Sequence, residues 1–244
     1  MKRTNIIIIA LIVSTVGFVG FRFAGKRSNA PRNDRQKEVV LTFTGTCHED
    51  EVNVHTGEVL YGLYENADGY ELIPSKITVS DAEDGITPED KTITVNHPGK
   101  PLLLVKNIPG LVRRNVKTVF SGISMIHPSE TIALKLSDTS VYYIDYLQET
   151  KESKKDHILT ITLRCNPPQP NGRDTQTVAT IRFPGDDSDP ALLWAGDLDG
   201  DGKLDMMFNL TEHYNVSNIV LFLSSMAEPG KLVKQAATRR TVGC

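Results

Sequence analysis

Short β-branched runs punctuated by turn residues predict an all-β fold, a sandwich or meander of short antiparallel strands. Three observations carry that expectation. After residue 37 no long stretch repeats its apolar residues at helical spacing. Gly, Pro and Asp interrupt the apolar runs every few residues, as they do between strands. Tyr64-Glu-Asn-Ala-Asp-Gly-Tyr70 joins two aromatic-bearing runs through Asp68-Gly69, which supplies the positive φ of a tight hairpin.

In order, the candidate strands are 39–44, 58–64, 70–73, 76–80, 91–95, 102–106, 131–136, 141–147 and 158–164. After these come 177–183, 192–195, 204–210, 218–223 and 232–236. Three prolines in Cys165–Asp174 (CNPPQPNGRD) remove ladder donors, so that stretch reads as a divider between a β-rich region 38–165 and another at 174–244. In the second region Leu204, Met206, Phe208 and Leu210 alternate with Asp205, Met207 and Asn209. That pattern puts the four apolar residues on one buried face.

The amino terminus has a different character. Lys2 and Arg3 precede an apolar run from Ile6 to Phe21 (IIIIALIVSTVGFVGF). The run is long for a signal-peptide core and short for a spanning helix, so residues 1–27 are expected to be either a signal peptide or an N-terminal membrane anchor. Residues 28–37 (SNAPRNDRQK) follow as a polar linker. Both readings imply export, to a periplasm or a cell surface, with the membrane met only through that segment. In an oxidising compartment two of Cys47, Cys165 and Cys244 could pair, with Cys165–Cys244 slightly preferred to a pair using Cys47.

Charge excludes one class of partner. The first thirty residues hold five of the 27 basic residues and no acid, which leaves the remainder at about −8. Nucleic-acid binding rests on neutralising phosphates with Lys and Arg, so an acidic body is not expected to do it. It suits divalent cations.

One motif carries such chemistry: Asp197-Leu-Asp199-Gly-Asp201-Gly-Lys203-Leu-Asp205. Carboxylates at alternate positions converge on one point if the chain curls, and Gly202 permits the sharp turn. A hard cation such as calcium takes six to eight oxygens at about 2.3–2.6 Å. Without a counterion, carboxylates about 5 Å apart repel by about 3 kcal/mol per pair at an effective dielectric near 20. The twelfth position of the loop is Phe208 instead of Glu, and strands instead of helices flank it, so it is not an EF-hand. The expectation is a calcium-clipped C-terminal hairpin.

Ala195-Gly-Asp197-Leu-Asp-Gly-Asp-Gly-Lys203-Leu-Asp205 resembles the calcium loop of FG-GAP and VCBS repeats, found in integrin-type propellers and bacterial surface proteins. The resemblance implies Asp197, Asp199, Asp201, the Lys203 carbonyl and Asp205 as ligands. His213-Tyr-Asn-Val-Ser217 and Leu221-Phe-Leu-Ser-Ser225 also look like the carboxyl-terminal region of exported bacterial proteins. A propeller needs several blades, and one loop without an internal repeat does not make a full propeller.

The remaining signals are weaker. His48 and His55 read as a solvated polar loop, Asp186-Asp187-Ser-Asp189 as a turn, and Trp194 as core rather than a sugar platform. No nucleophile elbow, phosphate loop or zinc-binding helix is present. The expected function is therefore non-enzymatic: an exported β protein whose calcium loop stabilises structure, serving as a surface or envelope interaction module. Two rivals stand beside it. One is a module binding an extracellular glycan or protein; the other is a hydrolase using acidic residues about 5–9 Å apart in a cleft.

Overall fold

A computed structural model describes residues 37–242 except 84, 126, 128, 151–156, 169–173 and 184–189. The predicted export segment, Asp186-Asp187-Ser-Asp189 and Cys244 lie outside the described residues. Among the described residues there are fifteen strands and no α-helix, so the protein is all-β.

The first seven strands are β1 (Val40–Thr42), β2 (Gly45–Cys47), β3 (Val59–Asn66), β4 (Gly69–Asp81), β5 (Lys91–Val95), β6 (Leu104–Lys106) and β7 (Arg114–Met125). Four more follow as β8 (Thr131–Ser137), β9 (Ser140–Thr150), β10 (His157–Asn166) and β11 (Thr175–Phe183). The chain ends with β12 (Ala191–Asp197), β13 (Asp205–Asn209), β14 (Val216–Leu223) and β15 (Lys234–Val242).

Every pairing is antiparallel, and two sheets result. An eleven-stranded sheet runs β1-β6-β3-β4-β7-β12-β13-β14-β15, with β5 and β2 branching from β4. It curls until β1 lies beside β15, a nearly closed barrel. Arg239 of β15 helps to seal the remaining gap by donating from Nη1 to the carbonyl of Glu51. The second sheet, β8-β9-β10-β11, is inserted between β7 and β12. The proline-bearing stretch after Cys165 joins β10 to β11, two strands that pair with each other.

Two cores share β12, β13 and β14. Inside the barrel lie Leu41, Leu63, Leu72, Val105, Trp194, Met207 and Leu221. On the outer face of the same strands Leu192, Met206, Phe208, Val220 and Phe222 meet Leu134, Tyr142, Ile144, Leu159, Ile161 and Leu163 of the second sheet. Phe208 and Phe222 contact edge to face, with centroids 6.1 Å apart. The expected face of Leu204, Met206, Phe208 and Leu210 is the one turned to the second sheet. Asp205 and Met207, on the other face, are buried as well.

Two of the departures from expectation have a plain physical reason. The runs 70–73 and 76–80 form one strand, β4, through Pro74. Beyond β4 from β3, β7 pairs only with 70–72 and β5 only from Ile77, so no ladder donor is required at Pro74. β7 lies outside the expected strands: its sequence RNVKTVFSGISM has little alternation, yet pairing with β4 and β12 makes it central.

Candidate metal centre

The acidic loop is the connection between β12 and β13, whose register ends at Gly196 opposite Asp205. Local bonds curl it. Asp197 Oδ1 accepts from the Gly200 N–H at 2.7 Å and Oδ2 from the Gly202 N–H at 3.1 Å. Asp199 Oδ1 accepts from the Asp201 N–H at 3.3 Å, and Asp201 Oδ1 from the Lys203 N–H at 2.8 Å. Gly200 and Gly202 have φ of +85° and +79°, where a Cβ is disfavoured. Leu198 is fully buried in the barrel core and Leu204 in the outer core, so the loop is pinned on both sides.

This curl gathers Asp197, Asp199 and Asp205: one carboxylate oxygen from each lies within 4.8 Å of the others. Three acidic residues so placed could hold a metal ion. Two oxygens on opposite sides of a hard cation at about 2.4 Å are about 4.8 Å apart, so the spacing fits an oxygen-coordinated ion. Asp201, also expected as a ligand, stands outside that group. Asp201 is exposed, and both of its carboxylate oxygens lie 3.0 Å from Ser224 Oγ, sharing its single hydrogen with Asp205 Oδ1. Lys203 is exposed, with its N–H committed to Asp201.

Asp205 is the unusual member, because it is wholly buried. Its Oδ2 accepts from the Leu198 N–H at 2.8 Å, and its Oδ1 from the N–H and Oγ of Ser224 at 2.8 and 3.0 Å. Burial pushes its carboxyl up to about 8, the charge of Asp199 adds to the push, and the donors pull the other way. Burial likewise raises Asp199, against a hydrogen bond donated by Ser225 Oγ to its Oδ2. A cation at the centre would reverse both shifts by stabilising the ionised forms.

Three residues of this neighbourhood are not legible from the loop itself. Ser224 and Ser225 arrive at the end of β14 and contact Asp199, Asp201 and Asp205. Arg114, at the start of β7, donates from Nη2 to the Asp197 carbonyl at 3.1 Å and stands 4.0 Å from its Oδ1. It supplies part of the countercharge from outside the triad.

Elsewhere the expected features resolve simply. Trp194 is fully buried and donates from Nε1 to Thr118 Oγ1 at 3.0 Å. His48 Nδ1 lies 2.8 Å from Asp90 Oδ1, while His55 is exposed. Cys47, half-buried on β2, carries a free thiol. Among the described residues no helix is long and apolar enough to cross a membrane. Comparison with protein-family models, curated proteins and solved structures finds no match.

Proposed function

We propose that the β12–β13 loop is a calcium site that stabilises one end of the barrel of a non-enzymatic, exported β protein. The observation that carries the metal reading is Asp205: a fully buried carboxylate with two further carboxylates converging on it. Burying such a group is costly unless charge balances it. The donors available are carboxylate, carbonyl and hydroxyl oxygens, which suit calcium better than a soft transition metal. The strands on either side have extensive packing and no partner element to open, so the ion's effect is on stability, not on a switch.

The non-enzymatic part rests on the recess at the open end of the barrel, where Glu65 is the single carboxylate among the lining residues. Trp194 is core, which weakens the glycan-binding alternative that needs an exposed aromatic platform. Export rests on the apolar run 6–21 alone. Titrating calcium, and separately magnesium and zinc, into metal-stripped protein by calorimetry tests the assignment. Calcium should bind at one site with the largest heat. Tighter zinc binding, or none by any ion, would overturn it.

A further inference from the structure

The barrel has two unlike ends. At the loop end Leu198 and Leu223 are fully buried and fill the interior. At the other end, where β12 begins and β14 begins, Leu193 and Ile219 are only partly buried, as are Phe43 and Leu102 beside them. These side chains, with Met207 beneath, line an open recess of about 510 Å³. Pockets of about 300–1,000 Å³ are the usual size for small-molecule sites, and small barrels hold single ligands in this place.

The wall chemistry limits what could fit. Ser217 and Thr241 face each other across β14 and β15, and their hydroxyls join Ser121's around the recess. The Tyr70 hydroxyl donates to Ser121 Oγ at 2.7 Å, so the Ser121 hydrogen remains to be donated elsewhere. Arg239 belongs to the wall too, and one of its guanidinium donors closes the barrel on the Glu51 carbonyl. The other charged lining residue, the exposed Glu65, is acidic and would repel an anion. An apolar floor, a hydroxyl fringe and one cation matched by one carboxylate together select a neutral body with an accepting end.

We infer that this barrel mouth is a binding site for a neutral, largely apolar small molecule whose hydrogen-bond-accepting end meets the hydroxyls of Ser121 and Ser217. Leaving the apolar floor wet sacrifices burial that a filled interior would gain, and a ligand restores it.

The test uses Nile red, a neutral apolar dye, titrated into the full chain in calcium-containing buffer, with far-ultraviolet dichroism and melting recorded on each protein. Wild type should show one saturable site. Ser217→Trp, which fills the mouth, should weaken it by about tenfold or more while the fold is kept. Leu193→Gln, which makes the floor polar, should do the same and decides the matter if Ser217→Trp does not fold. Dye binding unchanged in either folded variant would place the dye on the apolar run 6–21 or between copies of the chain and overturn the assignment. Unsaturable binding by wild type would also overturn it. The calcium site is untouched by both substitutions, so its own calorimetric test stands separately.

Discussion

Ser224 gives both its backbone N–H and its hydroxyl to one oxygen of Asp205, at 2.8 and 3.0 Å, across nineteen residues of sequence. The bond ties the end of β14 to the acidic loop. The same hydroxyl also reaches both oxygens of Asp201. Ser224→Ala removes the hydroxyl donor and keeps the N–H, so it should cost about 1–2 kcal/mol. For a domain of this size that is a fall of roughly 2–8 °C in melting temperature. Asp205→Ala strands the buried N–H groups of Leu198 and Ser224 and should cost more, about 2–4 kcal/mol. Thermal melts of the two variants in chelator give the ranking; equal losses would show that the second carboxylate bonds carry nothing.

The two loop glycines should respond unequally. A Cβ on Gly200 would lie 2.1 Å from Arg114 Nη1, whereas one on Gly202 would meet nothing within 4 Å. Both have left-handed φ, so each alanine costs about 1–2 kcal/mol in backbone strain. Gly200→Ala must in addition push Arg114 off the Asp197 carbonyl, losing roughly 1 kcal/mol more. Urea unfolding midpoints should therefore fall further for Gly200→Ala than for Gly202→Ala. The reverse order would put Arg114 outside the loop's support.

A pH dependence is built in far from the loop. Hydrogen bonds from Thr87, with His48 and the Ile86 N–H, hold the Asp90 carboxyl well below the usual carboxylate range. Asp90 in turn raises the His48 imidazole, with Glu51 and Asp50 helping. The depressed Asp90 contributes stability that is present above its unfolded value near 3.9 and lost as pH falls below it. The raised His48 contributes stability that is complete below about 6.5 and lost as pH rises through its folded value. The pair should be most stabilising between about pH 4 and 6.5. Chemical denaturation from pH 3 to 9 on wild type and His48→Gln checks it. The variant should keep the acid fall and decline less steeply than wild type above about pH 6.5, where the raised Asp205 still titrates in both proteins; an alkaline limb as steep as that of wild type would contradict the pairing.

How much of this was written legibly in the chain differs by element. The β12–β13 hairpin was readable because both its strands and its turn are local: Leu204, Met206, Phe208 and Leu210 alternate, and the aspartates sit at fixed spacing. The other face of β13 was not, because Met207 is buried against Leu41 and Ala237 from the far ends of the chain and Asp205 takes its partner Ser224 from the end of β14. β15 (KQAATRRTV) looks polar, yet it pairs with β14, and its Arg239 helps to close the barrel against the segment before β3. Ser224, Ser225 and Arg114 reach the site only through long-range pairing, so no local spacing marks them.

The central claim is that an ion at Asp197, Asp199 and Asp205 stabilises the fold. Asp199 is the informative position, because its carboxylate takes only the Asp201 N–H and Ser225 hydroxyl and its loss leaves the Asp205 anchor in place. Extracellular calcium modules commonly bind with dissociation constants of about 0.1–1 mM. At twenty times its dissociation constant, calcium adds about 1.8 kcal/mol by mass action, a rise of roughly 4–7 °C in melting temperature. Differential scanning calorimetry of wild type and Asp199→Ala, each in calcium and in chelator, is the direct measurement. The account predicts a calcium-dependent rise in wild type that Asp199→Ala abolishes, with the two proteins melting close together in chelator. Identical melting of wild type in both buffers, with no heat of calcium binding, would show the loop to be an acidic turn held by Arg114 and the two serines alone.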